Sequence, residues 1–126
     1  MKLFVVDDSS AIRKIIKAAA DVLEMDMEEA QDGIEALEKL SDCYREIDLI
    51  LLDWNMPEMS GYDVLVEMKN SDMYKDIPVM MVTTESQKSS IVAAVRAGAC
   101  NYLTKPFTIY ELQTKILECI GEEGVF

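Results

Sequence analysis

At 126 residues, half of them apolar and 29% charged, with five Gly and three Pro, the chain has the size and composition of one folded domain and not of a disordered segment. Twelve Lys and Arg stand against twenty-four Asp and Glu, and a net charge of −12 excludes phosphate backbones and anionic lipid as direct ligands, so neither nucleic acid nor membrane is expected as a partner. The chain holds no His, which removes Ser-His-Asp and Cys-His nucleophile systems, imidazole bases and His-containing zinc sites and leaves carboxylates, hydroxyls and Lys to carry any chemistry.

Short apolar runs alternate with stretches of helical spacing, the pattern of a parallel sheet covered by helices on both faces. The first run, Leu3 to Val6, ends in Asp7-Asp8; a Ser9 cap then opens a helix with Ile12, Ile15, Ile16, Ala19 and Leu23 on one face. A more polar strand from Met27 to Ala30 reads as a sheet edge, and Gln31-Asp32-Gly33 turns it into a second helix with the stripe Ile34, Leu37, Leu40. The run from Asp48 to Asp53 is the most apolar and belongs in the middle of the sheet. Past Met56-Pro57 and Gly61, a third helix turns Val64, Leu65 and Met68 inward, and Pro78 to Thr83 forms another buried strand with the Pro at its first position. A fourth helix from about Ser86 presents Ile91, Ala94 and Val95 and ends at Gly98; a short strand covers Asn101 to Thr104. Lys105-Pro106-Phe107 then leads to a last helix with Leu112, Ile116 and Ile120, frayed at Gly121 and Gly124.

Five strands alternating with five helices through right-handed crossovers make a doubly wound α/β domain spanning 1–126. Cys43, Cys100 and Cys119 are odd in number, far apart in sequence and without C-x-x-C spacing, which predicts reduced, mostly buried thiols and no disulfide or thiolate metal site. Ahead of Asp7 there is no apolar segment of leader or spanning length, so a cytoplasmic location is expected.

Ligands in doubly wound sheets bind beyond the C-terminal strand ends. At those ends the sequence places Asp7-Asp8, Asp53, Thr83 and Lys105. Carboxylates about 4 Å apart repel by about 4 kcal/mol at an effective dielectric of about 20, roughly three pKa units, so positive charge must sit among them. Lys105 and one divalent cation balance three aspartates, and Mg²⁺ suits a site of carboxylates that leaves positions for phosphate oxygens, Mn²⁺ being its nearest substitute. An aspartate so neutralised can act as a nucleophile toward an activated phosphoryl group, and Asp53, single and central, is the natural acceptor.

The segments Phe4-Val5-Val6-Asp7-Asp8, Asp53-Trp54-Asn55-Met56-Pro57, Gly61, Pro78 to Thr83, Ala97-Gly98-Ala99 and Lys105-Pro106-Phe107 together resemble the response-regulator receiver family along essentially the whole chain, in particular its single-domain chemotaxis members. The resemblance implies a flavodoxin-like sheet of strand order 2-1-3-4-5. It also implies a phosphorelay role in which Asp53 takes a phosphoryl group from a phosphohistidine of a partner histidine kinase. Asp8, Asp53 and the main-chain carbonyl of Asn55 would hold Mg²⁺, Asp7 would act through water, and Lys105, followed by a cis bond to Pro106, would contact the phosphoryl oxygens. Thr83 would bond a phosphoryl oxygen and Tyr102 would move from an exposed to a buried rotamer, changing a surface of the fourth helix, fifth strand and fifth helix where Ile91, Ala99, Tyr102 and Lys115 would meet partners. Asn55 and Glu85 match the chemotaxis type at positions that tune hydrolysis, whereas Thr84 stands where the family usually carries a small residue and is expected to narrow the approach to Asp53. The implied protein is no enzyme but a monomeric phosphoacceptor that assists its own phosphorylation and dephosphorylation. Its output is binding to a target such as a flagellar motor switch, with a phosphatase among its possible partners.

Other classes fit less well. A flavodoxin-like cofactor carrier needs a phosphate-binding loop after the first strand, where this chain has Asp7-Asp8-Ser9-Ser10. An aspartyl-phosphate phosphatase wants a second carboxylate two residues past the nucleophile, where Asn55 stands. A receiver module belonging to a hybrid kinase or transcription regulator is the nearer alternative, against which Met1 directly before the first strand weighs slightly. The Met residues read as core filler and most of the acidic excess as solvated surface.

Overall fold

The computed structural model describes residues 1–121, and Gly124, expected in the frayed tail, lies outside them. Strands β1 (Lys2–Val6), β2 (Asp26–Ala30), β3 (Leu49–Leu52), β4 (Val79–Thr83) and β5 (Asn101–Thr104) alternate with helices α1 (Ser10–Val22), α2 (Gly33–Cys43), α3 (Gly61–Lys69), α4 (Lys88–Ala97) and α5 (Ile109–Cys119). The strands form one parallel sheet in the order β2-β1-β3-β4-β5, the flavodoxin-like arrangement. Leu49-Ile50-Leu51-Leu52 is buried at every position because it is central, while β2 has a single fully buried residue and lies at an edge, as its polarity requires.

Alternation along the strands splits the core in two. Phe4, Val6, Ile50, Leu52, Val79 and Met81 face α2, α3 and α4; Leu3, Val5, Leu49, Leu51, Met80 and Val82 face α1 and α5. Ser9 caps α1 by accepting from the Ile12 N–H, and Gly98 ends α4 in the left-handed region at φ 113°. No helix among the described residues is long and apolar enough to cross a membrane.

The helix stripes need correction at three places. Ile15, Ile34 and Val95, expected inward, are 43%, 48% and 55% exposed, and the buried positions are Ile16, Ala19 and Ala20 of α1, Gly33, Ala36 and Leu40 of α2 and Ala94 of α4, of which Ile16, Ala19, Leu40 and Ala94 lie in the expected stripes. Helix α4 starts at Lys88, two residues beyond the expected Ser86. The thiols are also less buried than expected: Cys100 is exposed, and Cys43 and Cys119 are half-buried.

Candidate functional site

Backbone pairing continues one step past the strand ends and thereby fixes the site. The Asp7 N–H donates to the Ala30 carbonyl at 3.1 Å, that of Asp53 to Val6 at 3.0 Å, and that of Lys105 to Thr83 at 2.9 Å. With Val6 beside Leu52 and Thr83 beside Thr104 in register, residues distant in sequence meet at one edge. Asp7, Asp53 and Thr83 are buried there, and Asp8 is exposed at the rim.

The Lys105 ammonium lies 2.8 Å from Asp7 Oδ2 and 3.4 Å from Asp53 Oδ2. Asp7 Oδ1 accepts from the Ser9 N–H at 2.9 Å, and Asp53 Oδ1 from the Asn55 N–H at 3.3 Å. Burial pushes the Asp53 carboxyl above its ordinary range; Thr83 and Lys105 draw it back, Asp7 raises it, and the Asn55 N–H lowers it. Asp7, Asp8 and Asp53 each offer a carboxylate oxygen, and these lie within 4.8 Å of one another. An all-oxygen, anionic donor set of this kind fits a hard divalent cation such as Mg²⁺ and not a soft metal.

Two features shape the loop after Asp53. Helix α3 begins so close to it that a side-chain carbon at Gly61 would stand 2.7 Å from the Asp53 carbonyl carbon, and the Gly61 N–H donates to the Trp54 carbonyl at 2.9 Å. Between them the chain turns tightly, the Met59 N–H reaching the Pro57 carbonyl at 2.7 Å around Glu58 at φ 69°. Trp54 stacks on Tyr62 with ring centroids 5.1 Å apart. The Lys105–Pro106 peptide is cis.

The loop after β4 is tied to β5. The Thr83 hydroxyl accepts from the Glu85 N–H at 3.2 Å, Glu85 Oε1 accepts from the Gln87 N–H and the Ser90 hydroxyl, and the Tyr102 hydroxyl donates to the Glu85 carbonyl at 2.6 Å. Tyr102 is thus turned inward, half-buried against the core, with its phenol pushed up to about 12 by burial and then by the Glu85 and Asp53 charges. Thr84 and Asn55 are exposed at the mouth of the site. Ile91 and Lys115 are half-buried away from it, the Lys115 ammonium donating to Asn101 Oδ1 at 3.3 Å. Ala99 must be corrected: only 8% exposed and part of the core, it has little area to offer a partner.

Sequence reasoning missed Arg13, whose guanidinium donates to the Asp7 carbonyl at 2.6 Å and pairs with Glu29 at 2.7 Å, bracing the acidic turn from α1. The lone Arg one turn into an otherwise apolar-patterned helix was the available signal.

Comparison with known proteins agrees with this geometry. The profile of the family described as "Response regulator receiver domain" matches residues 3–117. The chain is 43% identical over 122 residues to Chemotaxis protein CheY1 of Helicobacter pylori, covering 96% of this chain and 98% of that protein. It is 41% identical to a Chemotaxis protein CheY homolog of Campylobacter jejuni, covering 96% and 93%. The solved structure of chemotaxis protein CheY4 of Vibrio cholerae superposes with a TM-score of 0.86 at 31% identity, covering 94% of this chain and 97% of that one. With the acidic cluster, the buried Thr and the Lys of four parallel strands gathered at one sheet edge, the chain belongs to the response-regulator receiver family and is of the CheY type.

Proposed function

We propose that this chain is a cytoplasmic phosphoacceptor switch of two-component signalling, working in chemotaxis, and that Asp53 is the acceptor. The observation that carries the reading is the position of Asp53: buried, 3.4 Å from the Lys105 ammonium and within 4.8 Å of the oxygens of Asp7 and Asp8. An Asp53 oxygen attacks the phosphorus of a phosphohistidine on a partner kinase; the P–N bond breaks and the departing imidazole takes up a proton. Lys105 and the Thr83 hydroxyl stabilise the charge on the transferring oxygens. Asp8, Asp53 and the Asn55 carbonyl would hold Mg²⁺ or Mn²⁺, with Asp7 acting through water, and a cation so held would supply positive charge to the phosphoryl oxygens.

The acyl phosphate brings about one further negative charge and new acceptor oxygens into a site already short of donors. The Thr83 hydroxyl answers that demand, and because the Thr83–Glu85 loop is bonded to Tyr102, its position is felt on the α4-β5-α5 face near Ile91 and Lys115. Output is binding itself, and the chemotaxis names of the relatives favour a motor-switch target. Asn55 and Glu85 set the hydrolysis rate, alone or with a phosphatase, and Thr84 slows entry.

The test follows Trp54, the one Trp, by fluorescence as Mg²⁺ and then beryllofluoride or a small acyl phosphate is added. A metal-dependent change followed by a second one that Asp53→Asn abolishes supports the reading; no response to either addition sinks it. Thr84→Ala is expected to speed phosphorylation by the acyl phosphate, and an unchanged rate removes Thr84 from the mechanism.

A further inference from the structure

Every hydrogen-bonding group of Asp7 is engaged. Its N–H donates to the Ala30 carbonyl at 3.1 Å, its Oδ1 accepts from the Ser9 N–H at 2.9 Å, its Oδ2 from the Lys105 ammonium at 2.8 Å, and its carbonyl from the Arg13 guanidinium at 2.6 Å. Asp8 is the reverse. It is exposed at the rim and no donor reaches its carboxylate among the described residues, yet it offers an oxygen within 4.8 Å of those of Asp7 and Asp53. What aims the Asp8 carboxylate is therefore the backbone that carries it, and the peptide joining Asp7 to Asp8 is the one whose oxygen Arg13 holds. Arg13 can do this because it is itself fixed. Its side chain is only 16% exposed, and its Nε donates to Glu29 Oε1 at 2.7 Å while a terminal nitrogen reaches the Asp7 carbonyl, so one rigid, planar fork spans acceptors on two elements. Glu29 is secured in turn from α2, its carbonyl accepting from the Lys39 ammonium at 2.7 Å and Lys39 pairing with Glu35 at 3.2 Å. The acidic turn is thus clamped from the β2 edge by Arg13 as it is from the β5 side by Lys105.

We infer that Arg13 is a positioning residue for the cation site: by holding the Asp7 carbonyl it fixes the Asp7–Asp8 peptide and aims the Asp8 carboxylate at a divalent ion. The inference rests on the reading of Asp8 as a ligand of that ion. Geometry and charge give opposite signs for the loss of this guanidinium. A positive group acting by its charge alone repels a cation, so removing it would tighten binding. A group acting by orienting a ligand weakens binding when removed, commonly by a factor of about 10 to 100. Glu29, at 2.7 Å, offsets the Arg13 charge and leaves the orienting role to dominate.

The test titrates the full chain and its variants with Mg²⁺ alone, read by Trp54 fluorescence, with urea denaturation in a chelator to establish that each variant is folded. Arg13→Gln is expected to weaken Mg²⁺ binding about tenfold relative to the parent. That ratio should persist at about 0.5 M salt, where an effect carried by charge is screened. Arg13→Lys, which keeps the charge without the planar fork, should fall between the parent and Arg13→Gln, and it carries the test if the Gln variant does not fold. Glu29→Ala, which leaves the guanidinium without its anchor, should lose less than Arg13→Gln. In an Asp8→Asn background, Arg13→Gln should cost less than about twofold further, because the ligand through which it acts is already gone. Unchanged or tighter Mg²⁺ binding by Arg13→Gln, or the full tenfold loss in the Asp8→Asn background, would overturn the inference while leaving the phosphoacceptor reading intact. A parent chain whose Trp54 ignores Mg²⁺ would sink both.

Discussion

Gly61 stands against the main chain of Asp53 so closely that even one methyl group would overlap the Asp53 carbonyl. The first turn of α3 therefore holds Asp53 from behind. Gly61→Ala should destabilise the fold by about 3 kcal/mol, the scale of an overpacked buried site, because the obstacle is backbone and cannot rotate away. Urea denaturation measures this, and Mg²⁺ titration of the folded fraction should show weakened binding as Asp53 is displaced.

Lys105 is held by Asp7 more closely than by Asp53. Lys105→Met should cost about 3 kcal/mol in metal-free buffer by leaving two buried carboxylates without their cation. The same change removes a competitor for those carboxylates, so Mg²⁺ affinity, read by Trp54 fluorescence, should rise about tenfold while phosphorylation falls.

The Tyr102 phenol is pushed up to about 12 from an ordinary 10.0. Its neutral form is the one that donates to the Glu85 carbonyl, so its contribution to stability is complete below pH 10.0 and is lost as pH rises through about 12. Alkaline titration of phenolate absorbance should show a late step that Tyr102→Phe abolishes, and the variant should lose less stability across that window than the parent.

At the end of α1, Glu24 takes the left-handed conformation at φ 57°, and the Met25 N–H reaches back to the Ala20 carbonyl at 2.9 Å. A side chain there costs about 1 kcal/mol that glycine avoids. Glu24→Gly should raise stability by about that amount, while Glu24→Ala, which keeps the Cβ, should not; thermal unfolding distinguishes the two.

Strands were legible because burial on both faces forces nearly unbroken apolar runs, and the site was legible because Asp7, Asp8, Asp53, Thr83 and Lys105 each follow or close such a run. Helix orientation was less so. Ile15, Ile34 and Val95 sit at helical spacing beside Ile16, Ala19, Leu40 and Ala94, but the sheet covers a narrower face of each helix than the apolar stripe spans, and spacing alone does not mark its edge. The capping box at the start of α5, Thr108 with Glu111, was written in the sequence as Thr-x-x-Glu and passed unread. The bonds from Tyr102 to Glu85 and from Arg13 to the Asp7 carbonyl depend on loop paths and leave no periodic trace.

The site draws on four strand ends, and its closest ion pair joins residues 98 positions apart in sequence. No fragment that lacks β1, β3, β4 or β5 can assemble it, so a bound cation acts as a ligand of the entire fold and stabilises the native chain by mass action as its concentration rises. A copy truncated or damaged in any of these four strands loses the whole cation site and not one ligand of it.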